Sequence, residues 1–256
     1  MDYPLSMQIA FFEEFPTEEN LAKLNYIRWP TKLYLAAPSL LEFRRLCATI
    51  KNQTISELVY WPVLLKKEGY WISPFSSGKA LRRILAELEH QTVSVMLDLE
   101  LPTTQNPFLY ITQSWSFWCH KKMIGDFIKH YSGKIYLAEY FTKNAKQTRL
   151  LEKVGLHFTE PHIHYIKMLY HSLHQFSQEF LLDELLLGNM EYGARFVAGY
   201  GTISPGIHGT EPILSQKQLE QDLQLAKDAG ISEVVIYRLG GLGKEYAKVI
   251  KKFNSI

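Results

Sequence analysis

The chain has only two cysteines, Cys47 and Cys119, in 256 residues. Neither stands beside another metal-type ligand at close spacing, which argues against a disulfide framework and makes a reducing compartment, the cytoplasm, the expected home. Long apolar runs are also missing. Phe180-Leu181-Leu182 and Leu185-Leu186-Leu187 are separated by Asp183 and Glu184, far short of the roughly 20 residues that span a bilayer. The opening residues Met1-Asp2-Tyr3-Pro4-Leu5-Ser6 carry neither the basic stretch nor the apolar core of a secretory signal. Charge of one sign is lacking too, since 28 basic residues face 26 acidic ones for a net +2. The pairs Lys66-Lys67, Lys121-Lys122 and Lys251-Lys252 are scattered, as solvated helix ends and loops are. Neither a nucleic-acid nor a membrane partner is expected from so diffuse a distribution. A dinucleotide turn is absent as well, since Gly199-Tyr200-Gly201 runs on into Ile203-Ser204, while Gly206, Gly209, Gly240 and Gly241 leave a phosphorylated ligand open. There is no Walker loop, no His-Glu-x-x-His and no Gly-x-Ser-x-Gly elbow, so no cofactor is expected.

What the chain does have is 46% hydrophobic against 21% charged residues, enough to bury a sizeable core. Short apolar runs alternate with amphipathic ones along its whole length. Strands are expected over 8–12, 33–37, 58–64, 93–101, 134–138, 163–170, 195–200 and 233–239. Helices follow them, opened by Thr17, Ser39 and Ser215 as caps and closed by Gly155 and Gly230. A hairpin-like insertion is expected over 69–74, and a long aromatic helix over 108–130 that carries Trp115, Phe117 and Trp118. Eight strands, each followed by a helix, in about 250 residues is the count of a (β/α)8 TIM barrel, here a single domain over 1–256 with no linker to divide it.

Such barrels do their chemistry where the strands end at their carboxyl side. The run Val93-Ser94-Val95-Met96-Leu97-Asp98-Leu99-Glu100-Leu101-Pro102 reads as a buried parallel strand. Side chains two apart share a face, so Asp98 and Glu100 project one way and the leucines the other. The same position on the other strands collects Glu13 and Glu14, Glu139 and Tyr140, Tyr170 and His171, Tyr200, the loop from Gly201 to Pro212 with His208 and Glu211, and Tyr237 with Arg238. Of Tyr237 and Arg238, alternation lets only one face inward. A rim of acids and aromatics suits a neutral polyol, whose hydroxyls take directional hydrogen bonds and whose apolar faces stack on rings. The expected partner is therefore a small-molecule or oligosaccharide substrate. The glycine-rich 201–212 loop is either a wall over the site or a simple chain reversal. His157, His162 and His164 lie before the sixth strand, at the amino end, and are expected to face solvent or be satisfied in the core.

Met96-Leu97-Asp98-Leu99-Glu100 resembles the end of the Asp-x-Asp-x-Glu signature of the chitinase-type (family 18) glycoside hydrolases, and is similar to the Asp-x-Glu of family 25 lysozymes. Met168-Leu169-Tyr170-His171 resembles the chitinase-type Met-x-Tyr-Asp, with His171 in place of its Asp. Ser94 and Met96 stand where the fuller signature has aspartates. The resemblance implies that Glu100 is the general acid, that Asp98 orients the substrate, and that Tyr170 supports it.

Glycosidic cleavage needs one carboxyl protonated and a second ionised, and burying two acids together separates their pKa values in that way. Asp98 with Glu100 is one such pair, and Glu139 is an alternative partner for Glu100. A second hypothesis is a metal-dependent sugar isomerase or endonuclease-like barrel built on Glu13, Asp98, Glu139, His171 and His208. A third is a non-catalytic barrel that binds a glycan or a protein.

Overall fold

The computed structural model describes residues 7–102, 116–140 and 145–254. Eight parallel strands close into a barrel in chain order: β1 (Gln8–Glu13), β2 (Thr31–Ala37), β3 (Ile55–Pro62), β4 (Val95–Asp98), β5 (Ile135–Tyr140), β6 (Ile163–Met168), β7 (Phe196–Gly201) and β8 (Glu233–Tyr237). Among the described residues eight α-helices accompany them: α1 (Glu18–Ala22), α2 (Leu40–Thr49), α3 (Gly78–Leu88), α4 (Phe117–His130), α5 (Ala145–Lys153), α6 (Gln178–Tyr192), α7 (Gln216–Asp228) and α8 (Lys244–Lys251). The (β/α)8 class expected from the alternation is what the chain forms. None of these helices is long and apolar enough to cross a membrane.

Local chemistry explains the element starts. The side-chain oxygens of Thr17, Ser39, Ser177 and Ser215 accept the backbone N–H three residues on, each at 3.2 Å, in α1, α2, α6 and α7. These bonds satisfy donors that a helix start leaves orphaned. Gly155 and Gly230 follow α5 and α7 with φ of +67° and +71°, the left-handed conformation that glycine adopts without strain. Every residue of β2 is buried, as a parallel strand covered on both faces requires.

Several boundaries differ from expectation: β2 begins earlier, at Thr31, and β4, β6 and β8 end earlier than expected, at Asp98, Met168 and Tyr237. Three further differences concern β3, the 69–74 segment and the aromatic helix. β3 begins at Ile55 because the Asn52 side chain accepts the Thr54 N–H at 2.8 Å, which turns the chain into the strand early, and Pro62 ends it. Residues 69–74 form no hairpin; a single 3-10 turn over Lys66–Glu68 precedes them, and Ile72 N–H donates to the Asp98 carbonyl at 3.2 Å. The aromatic helix begins at Phe117, and residues 108–115 of its expected span, Trp115 included, lie outside the described residues. Trp118 is 70% exposed and lies edge-on to Phe117, so this part of the aromatic cluster is not core.

Contacts group the chain into two compact units: Met1–Leu35, Ala48–Leu58 and Tyr165–Ile256 in the first, Ala36–Cys47 and Val59–His164 in the second. In the first unit, Gln8 pairs with Glu233 and Phe12 with both Tyr34 and Tyr237. Lys167 reaches Glu184 on α6 at 2.8 Å, which marks its face of β6 as the helix side. The opposite face, with Phe12, Tyr34, Gly201 and Tyr237 in register, is the barrel interior. Its amino-end layer is a closed electrostatic floor. There Lys32 Nζ donates to Glu233 at 2.6 Å and lies 3.6 Å from Glu57, while the Tyr34 hydroxyl donates to Glu233 at 3.1 Å. In the second unit, Tyr60 pairs with Val95 and packs on Phe43 of α2, so Val95 and Leu97 face helices. Met96 and Asp98 therefore face inward, with Tyr136 and Ala138 beside them in register.

Candidate active site

In the second unit, strand alternation places Asp98 and Tyr140 on the interior side. Asp98, which pairs with Ala138, ends β4; Leu99 N–H donates to the Ala138 carbonyl at 3.1 Å, and Glu100 follows. The Tyr140 hydroxyl donates to Glu100 Oε2 at 3.2 Å. Burial, followed by the nearby Glu100 and Asp98 carboxylates, pushes the Tyr140 phenol well above its ordinary value, so it remains a donor. Asp98 is 5% exposed. Trp61, on the same inward face as Met96, stacks on Trp71 with ring centroids 5.9 Å apart and planes 6° from parallel. Trp71 precedes the Ile72 N–H that bonds the Asp98 backbone carbonyl, and both indoles are buried. Sequence reading missed these indoles because they lie ten residues apart, one of them in a segment taken for a hairpin. A Trp at an inward parity position of β3 was the available signal.

Glu139 faces the other way. Its Oε2 lies 2.7 Å from His157 Nδ1, both side chains being buried, so it does not share a face with Glu100. His157 is thus satisfied inside the protein, against the carboxyl end of β5 and not at the amino end where it is expected, through an acid expected at the rim. His162 bonds the Ile128 carbonyl at 2.9 Å, and His164 packs on the Tyr136 ring.

The first unit repeats this division. Glu13 and Arg238 face the helices. Glu13 accepts from Arg238 Nη1 at 3.1 Å, Phe15 N–H at 2.8 Å, Gly240 N–H at 2.6 Å and Asn20 at 3.3 Å. Burial pushes its carboxyl above the ordinary value, although Arg238 and the two backbone donors pull it down. Arg238 also donates to the Pro205 carbonyl at 2.9 Å and lies over the Phe15 ring. His171 Nδ1 is 3.2 Å from Asp222 of α7, and Tyr200 is fully buried on the helix side. Burial, with Asp222 second, drives the Tyr200 phenol far upward. Glu13, Glu139, His171, Tyr200 and Arg238, expected at a substrate rim, therefore face the helices. For Glu13, Glu139, His171 and Arg238 the polar neighbour at the strand end takes the inward place instead, and beside Tyr200 it is Gly201.

Glu14 and Tyr237 point inward, and the Tyr237 hydroxyl donates to Glu14. The Tyr170 ring lies 5.7 Å from that of Tyr237 at 34°. The loop after β7 joins them: a Cβ on Gly206 would collide with the Tyr237 hydroxyl and lie 3.1 Å from Glu211 Oε1. Glu211 in turn accepts the His208 N–H at 3.0 Å, while His208 itself is exposed at the loop tip. The loop base is tied down by Leu214 N–H to the Thr202 carbonyl at 2.7 Å and by Thr202 N–H to Ser172 Oγ at 2.6 Å. Of the expected ligand set Glu13, Asp98, Glu139, His171 and His208, three members face helices with protein partners. Among the described residues no three His, Cys, Asp or Glu are grouped to hold a metal ion.

These features define a parallel (β/α)8 barrel with acids and aromatics at the inward carboxyl ends of its strands. No protein-family model matches the chain, and no curated protein matches it in sequence. Among solved structures it is similar to the glycoside hydrolase domain of PgaB (BpsB) from Bordetella bronchiseptica, with TM-score 0.59, 10% identity and 99% of each chain covered. It is likewise similar to a xylose isomerase domain protein from Planctomyces limnophilus, with TM-score 0.53, 9% identity and 96% of this chain and 94% of that one covered. For a chitinase from Chromobacterium violaceum the values are 0.52, 9%, 98% and 99%. At these identities the likeness is one of fold.

Proposed function

We propose that the chain is a carbohydrate-active barrel enzyme of the glycoside hydrolase type, with Glu100 as general acid and Asp98 as its ionised partner. The observation that carries this reading is the Tyr140 hydroxyl on Glu100 Oε2 at 3.2 Å, two residues beyond the inward Asp98 that ends β4. Two carboxyls two residues apart at a strand end can approach closely, and one of such a pair holds its proton more tightly than the other. Glu100 donates its proton to the leaving glycosidic oxygen as the bond to the anomeric carbon breaks. Asp98 holds the positive charge that develops on the sugar, and water completes the product. Tyr140 fixes the Glu100 side chain. Two of the similar barrels are a chitinase and a glycoside hydrolase domain, and the third is an isomerase-type protein. The helix-facing placement of Glu13, Glu139 and His171 favours the hydrolase reading over the metal one.

A leaving-group series tests it. Turnover by Glu100→Gln should fall about 100-fold or more on unactivated oligosaccharides and much less on dinitrophenyl glycosides, whose leaving group needs no proton. Equal turnover by wild type and variant across the series means that Glu100 is not the acid.

A further inference from the structure

Four chain segments of the first unit meet at the Tyr237 phenol: the end of β1 through Glu14, the residues after β6 through Tyr170, the 202–214 loop through Gly206 and Glu211, and β8 itself. We infer that this junction is a sugar subsite that accepts hydroxyl groups of an uncharged saccharide and turns anionic sugars away. The inference rests on the carbohydrate reading above and deepens it by naming the class of sugar.

Glu14 and Tyr237 are both buried, at 4% and 8% exposure, and the phenol spends its proton on the Glu14 carboxylate. The phenol oxygen then has only lone pairs left to offer, and a ligand hydroxyl that donates to it strengthens the phenol-to-carboxylate bond behind it. Glu14 is thus a positioning residue and Tyr237 the group that meets the ligand. Tyr170, half-buried and tilted 34° to Tyr237, adds a ring face against which a sugar stacks. Glu211 brings a second carboxylate; its Oε2 is buried and has no hydrogen-bond partner among the described residues. A hydroxyl donor satisfies that oxygen, whereas a ligand carboxylate would meet two like charges at short range. Gly206 makes the junction possible, because any side chain there collides with the phenol oxygen.

The test is calorimetric binding of cello-, laminari- and chito-hexaose, and of a hexaglucuronate, to the full chain and to its Tyr237→Phe, Glu211→Gln and Gly206→Ala variants. Wild type should bind a neutral hexaose and reject the glucuronate. Tyr237→Phe should weaken neutral binding about tenfold, the size of one hydrogen bond, and Gly206→Ala by at least as much. Glu211→Gln, which changes a partly exposed loop side chain and leaves the fold intact, should narrow the neutral-to-anionic discrimination. If neutral binding is untouched in Tyr237→Phe and Gly206→Ala, or if wild type takes the glucuronate as well as the hexaose, the subsite is wrong even where Glu100 governs hydrolysis. If Glu100→Gln hydrolyses normally while Tyr237→Phe loses binding, the acid assignment fails and the subsite stands. Wild type that binds none of the four sugars overturns both.

Discussion

Glu13 and Glu14 are neighbours in the chain and opposites in chemistry. Glu13 turns to the helices, where Arg238 and two backbone N–H groups saturate it; Glu14 turns inward to a phenol. The second unit divides its polar groups in the same manner, with Glu139 held by His157 on one side and Glu100 by Tyr140 on the other. In each unit the outward acid is matched to a base and serves the scaffold, while the inward acid is matched to a tyrosine. A phenol holds a carboxylate in place without neutralising it, so the inward acids keep their capacity to act on a ligand. The amino-end interior of the first unit sharpens the contrast, because Glu233 faces inward there but is neutralised by Lys32 at 2.6 Å.

The largest stability effect should come from breaking an outward pair. Arg238→Ala leaves Glu13 buried without its cation, and losses of about 3–5 kcal/mol follow from such a change, read as a fall in Tm of roughly 10 °C. The pH dependence has a definite sign. The Glu13 carboxyl already lies above its ordinary value, and without Arg238 it rises further, so the folded chain holds the proton more tightly than the unfolded one. The deficit of the variant should therefore be full at neutral pH and shrink as pH falls through the raised pKa. A thermal melt series from pH 8 to pH 4 checks both size and sign.

An inward substitution should do the reverse. Tyr140→Phe removes the donor to Glu100 and should lower turnover on oligosaccharides about tenfold, as loss of one hydrogen bond does, with a Tm close to that of wild type. A large drop in Tm with normal turnover would place Tyr140 in the scaffold.

The smallest effect is expected at a surface pair that belongs to neither class. Arg83 donates to both oxygens of Glu68, at 3.1 and 3.2 Å, and holds that carboxyl below its ordinary value, first through the hydrogen bond. Its stabilisation is present above the ordinary carboxylate pKa and lost as pH falls through the lowered one. Arg83→Ala should cost at most about 1 kcal/mol, and denaturant titrations across falling pH should show the difference shrink below the ordinary carboxylate pKa.

Much of this barrel was legible in the sequence. Thr17, Ser39 and Ser215 sit where caps must, Gly155 and Gly230 where helices end, and the apolar run through Val95–Asp98 reads as a covered parallel strand. Facing was harder to read. Two polar residues in a row at a strand end, as in Glu13-Glu14, Glu139-Tyr140 and Tyr237-Arg238, leave the inward member undecided until neighbouring strands fix the register. Asp98 against Ala138 decides Tyr140, and Phe12 against Tyr237 decides Glu14. Trp61 and Trp71 depend on a loop conformation set by a long-range bond from Ile72 to Asp98, which no local pattern encodes.

The account is tested most directly by measuring turnover and Tm side by side for Glu100→Gln and Glu139→Gln. The predicted result is a split: Glu100→Gln loses oligosaccharide turnover by about 100-fold or more at unchanged Tm, and Glu139→Gln keeps turnover while its Tm falls by several degrees. Turnover that survives in Glu100→Gln and collapses in a normally stable Glu139→Gln would contradict it.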